Sequence, residues 1–325
     1  MSKKIAILGT GGTIAGTASC VADNVRYRAA QLDVDRLLQS IPGLEQCLAG
    51  HGVVAEQVAN VDSKDMGWSQ WRVIAQRALY FFSQPDICAV LVTHGTDTIE
   101  ESAYFLSRVL PASLLAVKPL VLTCAMRPAS SMAPDGPQNL RDSIRVACAP
   151  EAQGVLVVCA GTVHSARDVQ KVHPYRLDAF DSGDAGPLAY VEEGVVRWVR
   201  PCPVMGADSL QLLNQLQEPI WPRVEIVQSY AGTDGSLVHA ICVGATTDAN
   251  PVRGIVVAAT GNGTIHHTLE AALTQAQALG IRVLRSTRCA YGQIVMGEAE
   301  PNSVIGATNL SPTKSRIALM LDLML

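Results

Sequence analysis

The sequence has no run of lysines or arginines, so it offers no basic face for nucleic acid or an anionic membrane. Charge is scarce in both signs: 25 Lys and Arg against 29 Asp and Glu leave a formal net charge of −4. Charged residues make up 17% of the 325, and hydrophobic residues 48%. So few charges for this length imply surface buried between subunits, and an oligomer is expected. No apolar stretch approaches the ~18 residues of a membrane span. The apolar run after Lys3-Lys4, Ile5 to Leu8, is too short for a signal-peptide core. The nine cysteines are odd in number and never spaced CxxC. Cys88, Cys124 and Cys159 fall in or beside apolar runs, where cysteine acts as a small hydrophobe. The pattern calls for neither disulfides nor a metal, and a reduced, cytoplasmic protein is expected. Low-complexity tracts and short repeats are also lacking.

What is present is alternation. Lys4–Leu8, His51–Ala59, Ile87–Thr93, Pro119–Thr123 and Gly154–Cys159 read as strands rich in Val, Ile and Leu. Asp33–Ser40, Trp68–Ser83, Ile99–Leu110 and Asn139–Ala149 read as helices between them. The third of these helices has Glu100-Glu101 in its first turn, where acids complement the helix dipole. Such alternation predicts a doubly wound, mostly parallel sheet with helices on both faces, here over residues 1–200. Arg200-Pro201-Cys202-Pro203 breaks the pattern, and residues 201–220 read as a linker with one helix within Gly206–Gln217. A smaller α/β domain is expected over 221–325. Its strands are Val224–Gln228, Gly254–Ala258 and Ile281–Leu284, and its helices Leu237–Val243, Ile265–Ala278 and Pro312–Leu323.

Two segments carry the chemistry. Gly9-Thr10-Gly11-Gly12-Thr13-Ile14-Ala15-Gly16 and Val92-Thr93-His94-Gly95-Thr96-Asp97-Thr98 each put threonines on a glycine turn straight after a strand. Ligands bind at such strand ends in open α/β sheets. The dinucleotide fingerprint G-x-G-x-x-G fails, because from Gly9 and Gly11 its last position is Ile14. The phosphate loop fails as well, because Gly11 and Gly16 are followed by Thr17 where lysine belongs. What remains is Thr13 as a nucleophile with free backbone amides around it, or as a turn residue only. Asp97 reads as a helix cap, a ligand, or both. Thr17–Gln31 is long for a strand-to-helix loop and has the length of a lid; its Tyr27 either reaches the nucleophile or packs the loop down. His266-His267 makes a poor metal site because neighbours on a helix point apart. His164 and His173 lack a third ligand at recognisable spacing.

These motifs resemble the two signatures of the bacterial-type L-asparaginases and glutaminase-asparaginases. The resemblance extends to Asp62-Ser63-Lys64-Asp65-Met66, Ala125-Met126-Arg127-Pro128, Asp135-Gly136-Pro137 and Gly161–Lys171, then to Gly261-Asn262-Gly263 and Arg285-Ser286-Thr287-Arg288. It therefore spans nearly the whole chain. It implies cofactor-free hydrolysis of L-asparagine to L-aspartate and ammonia, with glutamine as an accompanying substrate. By the same resemblance Thr13 is the primary nucleophile and Tyr27 the lid tyrosine beside it. Thr96, Asp97 and Lys171 form a second group, in which lysine lowers the proton affinity of a threonine or water. Ser63 takes the substrate α-carboxylate and Asp97 its α-ammonium, in a pocket lined by Gly12, Asp62, Lys64 and Gly95. A homotetramer built from close dimers is implied, each site completed by a neighbour's Asn262 and an acid after Tyr291-Gly292. That acid is Glu298 or Glu300, with Glu298 favoured by its distance from Gly292.

Two departures from the family stand out. The stretch Gly292–Asn302 is short, and Lys64 replaces the usual glutamine or glutamate. An inward-facing lysine would repel an α-ammonium, whereas a solvated one would leave only backbone in the site. Two other functions are compatible with the fold: an amidotransferase subunit and an amino-acid sensor. The first lacks an appended docking domain, and the second has no use for a lysine-activated nucleophile.

Overall fold

The computed structural model describes residues 2–206, 210–218, 220–296 and 305–325. Two compact units emerge, Met1–Leu210 and Gln211–Leu325. The first is built on an eight-stranded sheet. Its strands in chain order are β1 (Lys4–Gly11), β2 (Gly52–Val61), β3 (Ile87–Thr93), β4 (Leu120–Thr123), β5 (Val155–Cys159), β6 (Thr162–Ser165), β7 (Ala189–Glu192) and β8 (Val195–Trp198). Across the sheet the order is β8-β7-β6-β5-β4-β3-β1-β2. The five strands β2, β1, β3, β4 and β5 are parallel. The last three join antiparallel, which makes a meander at one edge.

β1 lies one strand in from the sheet edge, and between Lys4 and its glycines it is apolar: Ile5, Ala6, Ile7 and Leu8 have no exposed surface. Strand alternation sends Ile5 and Ile7 to one face. There they pack with Val34, Leu37 and Leu38 of helix α1 (Val34–Gln39), and with Leu140 and Ile144 of a helix spanning Gly136–Cys148. Ala6 and Leu8 turn to the other face. Between those two helices in sequence lie α2 (Trp68–Phe82) and α3 (Ile99–Val109), which pack on each other and on the sheet; the Gly136–Cys148 helix is α4. Trp71 of α2 stacks on Phe105 of α3 at 4.7 Å between ring centroids.

The chain leaves β1 to form β2 on one side and then returns to form β3 on the other. Reversal of strand order at β1/β3 is the switch point at which open α/β sheets hold ligands. Both threonine turns leave these two strands, with Gly9 paired to Thr93 just before them.

The second unit holds a four-stranded parallel sheet, β9 (Arg223–Gln228), β10 (Val252–Ala259), β11 (Arg282–Thr287) and β12 (Gly306–Ala307), in that order. Ile255 and Val257 of β10 meet Val238 of α5 (Ser236–Thr247) and Leu269 and Leu273 of α6 (His267–Ala278). The closing helix α7 (Pro312–Asp322) lays Leu319 over Gly254, where a Cβ would come within 2.8 Å of it.

Three details differ from the sequence expectation. The meander β6–β8 was not anticipated, because its strands are four residues each and all three carry polar or charged residues that break the apolar pattern. The Thr17–Gln31 loop is not structureless, since Thr17–Ala18 pairs with Tyr27–Arg28 as a short antiparallel hairpin. His266 precedes α6 as its N-cap rather than lying on it, and its ring stacks on His267 at 4.6 Å, so the two rings do not point apart.

Buried Asp142 on α4 has one hydrogen bond, from Gln138 Nε2 at 2.8 Å, and burial raises its carboxyl from the usual 3.8 to about 6. A carboxyl that binds its proton more tightly when folded favours the fold below about pH 4 and loses that advantage as pH rises through 6. Asp142→Asn should therefore stabilise the protein at pH 8 by about 2 kcal/mol and have no such effect at pH 4. Thermal unfolding of both proteins at the two pH values checks this; equal shifts at both would contradict it.

Candidate active site

The first turn needs its glycines. Gly11 and Gly12 have φ of 97° and 78°, in the left-handed region that side chains avoid. A Cβ on Gly12 would stand 2.4 Å from Gly95 Cα, and one on Gly95 would stand 2.5 Å from Ser63 Oγ. Three segments thus meet in close contact: the turns after β1 and β3, backbone to backbone, and the short helical turn Ser63–Asp65 after β2, through the Ser63 side chain. Hydrogen bonds lock them together. Gly12 N donates to Val61 O at 2.9 Å, Asp97 N to Ser63 Oγ at 3.2 Å, and Thr98 Oγ1 to Ser63 O at 2.7 Å.

Thr13, buried in the first turn, has its Oγ1 2.7 Å from the Tyr27 hydroxyl. The hairpin carrying Tyr27 is anchored at both ends: Ala30 N donates to Gly12 O, Gln31 N to Ala15 O, and Ala18 N to Ser130 Oγ. Burial raises the Tyr27 pKa above its usual 10, against the hydrogen bond from Thr13, and the carboxylates of Asp62 and Asp97 push it the same way. Tyr27 is therefore a neutral phenol at physiological pH. Not all amides near Thr13 are free, because those of Gly12, Ala15 and Gly16 bond to Val61, Gly12 and Thr13 oxygens.

Lys171 reaches the second turn from the strand pair Gln170–Lys171 and Phe180–Asp181. Its Nζ donates to Thr96 Oγ1 at 2.8 Å and to Asp97 Oδ1 at 2.6 Å. Thr96 is buried, Lys171 nearly so, while the Asp97 side chain keeps 55% of its surface. Asp97 is not the cap of α3: Thr98 holds that position without a side-chain cap bond, and the Asp97 carboxylate faces Lys171 instead. Glu100 is likewise more than a dipole partner. It is buried, and its Oε2 accepts the Lys171 backbone N–H at 2.5 Å. Sequence reasoning missed this, because nothing in the spacing ties residue 100 to residue 171.

Asp62 caps the Ser63–Asp65 turn by accepting from Lys64 N at 3.4 Å. The Lys64 ammonium pairs with Asp65 and its side chain is 61% exposed. Thr13, Tyr27, Thr96, Asp97, Lys171, Gly12, Asp62, Ser63, Lys64 and Gly95 thus all lie at the β1/β3 end of the first unit. Asn262 belongs to the second unit, in the turn after β10, where its amide bonds Val295 in both directions, at 2.8 and 2.7 Å. Glu298 and Glu300 lie outside the described residues. Among the described residues, no group of three His, Cys, Asp or Glu side chains is placed to hold a metal.

The arrangement provides two hydroxyls in unlike settings, one against a neutral phenol and one under an ammonium, on touching turns. Residues 4–203 match the family described as "Asparaginase, N-terminal", and residues 223–324 the "Glutaminase/Asparaginase C-terminal domain". L-asparaginase 2 of Bacillus subtilis is 33% identical over 98% of this chain and 82% of its own length. Glutaminase-asparaginase of Pseudomonas fluorescens is 32% identical over 98% and 86%. The crystal structure of a Campylobacter jejuni protein called "Probable Cytoplasmic L-asparaginase" covers 99% of this chain and 95% of its own, with TM-score 0.86 and 32% identity. Relatives described as periplasmic occur as well. By both matching domains and by these full-length relatives, the chain belongs to the asparaginase family.

Proposed function

We propose that the protein is a cofactor-free L-asparagine amidohydrolase that works by double displacement through Thr13. The observation that carries this reading is the pair of supported hydroxyls on touching turns: Thr13 on Tyr27 at 2.7 Å and Thr96 on Lys171 at 2.8 Å. An amino-acid binding protein would need neither support. The family relatives named for asparaginase and glutaminase-asparaginase activity favour the same substrate class.

In the first step Thr13 Oγ1 attacks the side-chain amide carbon of asparagine. Its proton passes to the Tyr27 oxygen while the phenol's own proton moves to the amide nitrogen, so the C–N bond breaks and ammonia leaves. The phenol is suited to such a relay because it keeps its proton until the transfer occurs. In the second step water adds to the aspartyl ester of Thr13, and the Thr13 oxygen departs with a proton from that water. Lys171, donating to the Thr96 oxygen, holds that hydroxyl's lone pair and so orients it toward the water and lowers the water's proton affinity. Ser63 Oγ takes the substrate α-carboxylate, and the half-exposed Asp97 its α-ammonium. Gly12, Gly95 and Asp62 shape the pocket, and Lys64 lines it with backbone alone.

The rest of the reading follows the family: a homotetramer built from close dimers, with Asn262 and Glu298 of a neighbour completing each site. Glutamine is a second substrate, since one added methylene is worth only about 1–3 kcal/mol of discrimination. A cytoplasmic location is supported by nine free cysteines and by the printed name of the Campylobacter relative.

Ammonia release from L-asparagine, L-glutamine and D-asparagine by the purified protein tests the function. Thr13→Ala and Thr96→Val should each lower kcat on L-asparagine by at least ~100-fold with the fold and assembly intact. Full turnover in Thr13→Ala would remove it as nucleophile, and asparagine binding without ammonia release by the unmodified protein would make it a sensor. Lys64→Gln should leave the KM for asparagine unchanged; a clear fall would place the lysine inside the pocket.

A further inference from the structure

His94 stands between β3 and the Gly95-Thr96 turn, fully buried, and has no part in the mechanism above. Its Nδ1 lies 2.8 Å from Gly95 O, and its Nε2 lies 2.8 Å from Ser102 Oγ on α3. Ser102 Oγ in turn accepts from Trp71 Nε1 of α2 at 2.8 Å. All three side chains are buried, and the Trp71 ring is clamped between Phe105 and Trp68.

The chain of bonds runs in one direction. An indole N–H only donates, and a carbonyl oxygen only accepts. Gly95 O therefore requires the proton on His94 Nδ1, which leaves Nε2 as an acceptor for the Ser102 hydroxyl. The opposite tautomer would set the Nδ1 lone pair against the carbonyl lone pair of Gly95 in a fully buried site. Burial agrees with a neutral ring, for it draws the imidazole from 6.5 to about 4.

The consequence falls on Thr96. In a trans peptide the C=O and N–H point opposite ways. Pinning Gly95 O onto His94 turns the Thr96 N–H away from that core and fixes the plane from which the Thr96 side chain departs. The same helix fixes its partner, for Glu100 holds the Lys171 backbone. We propose that Trp71, Ser102 and His94 form a positioning relay that sets the Gly95–Thr96 peptide, so that the first turns of α3 align Thr96 with Lys171. This rests on the proposed role of Thr96.

Ser102→Ala removes the only donor the relay offers to Nε2. It should lower kcat on asparagine by roughly 10- to 100-fold, the scale of a displaced reacting group, and change KM little. Trp71→Phe, which removes one N–H and keeps the ring, should cost less, and Ser102→Thr should restore most of the rate. Nitrogen-15 NMR should find the His94 proton on Nδ1 in the unmodified protein, and in Ser102→Ala a shifted Nε2 resonance as that nitrogen loses its donor. The deciding measurement is a double-mutant cycle. On a Thr96→Val background, Ser102→Ala should cost nothing further; an additive loss would show that the relay does not act through Thr96 and would overturn the proposal. So would unchanged kcat in Ser102→Ala, or a proton on Nε2 in the unmodified protein. Should Ser102→Ala fail to fold, the same cycle with Trp71→Phe decides. The role of Thr96 itself fails separately, by full activity in Thr96→Val alone.

Discussion

The close approach of Gly12 to Gly95 is the constraint on which the site depends. Two backbones in contact, with 2.4 Å left for any Cβ, leave no alternative to glycine at position 12. The contact exists because β1 and β3 are neighbours at the switch point and both end in turns at the same height. It brings Thr13 and Thr96 to one crevice although eighty-odd residues separate them. Larger side chains would move the two hydroxyls apart and lose the geometry that the proposed attack requires.

Around this contact the protein gives each hydroxyl a different electrostatic setting. Near Thr13 there is a neutral phenol, kept neutral by burial and by two carboxylates. Beside Thr96 there is an ammonium, balanced by Asp97 and anchored through its backbone by Glu100. The more exposed member of the Lys171–Asp97 pair is the carboxylate, the partner that a cationic substrate group can reach from solvent. In the proposed reading, a zwitterionic amino acid meets this anion at the open side of the crevice.

Much of this was legible in the sequence for physical reasons. Ile87–Thr93 was expected with the bounds it has, because a fully buried parallel strand is a continuous apolar run closed by a turn. β1 runs three residues beyond its apolar stretch because its glycines still pair with β2 across a register shift. The antiparallel meander was hidden, since four-residue strands carry too little periodicity to read. Within the site, Thr13 and Thr96 came from the glycine turns and Tyr27 from the long loop, whereas Lys171 came from the family resemblance alone. Of the readings of Asp97 as cap, ligand or both, the cap fails because Thr98 holds that position, while Glu100 sits in the first turn as expected and also holds Lys171, seventy-one residues away. The sequence assigns His94 no role beyond its place in the second turn motif, and Ser102 none. Only the fold shows that their polar atoms pair in sequence from Trp71 to Gly95.

Division of labour between the two threonines is the central claim, and a trapped intermediate tests it most directly. Thr96→Val is mixed with L-asparagine, quenched in acid within a turnover, and its peptides are mapped by mass spectrometry. An aspartyl ester on the peptide carrying Thr13 is the result expected of attack by Thr13 with deacylation aided by Thr96. Release of ammonia with no ester on Thr13, or an ester on another residue, would contradict it.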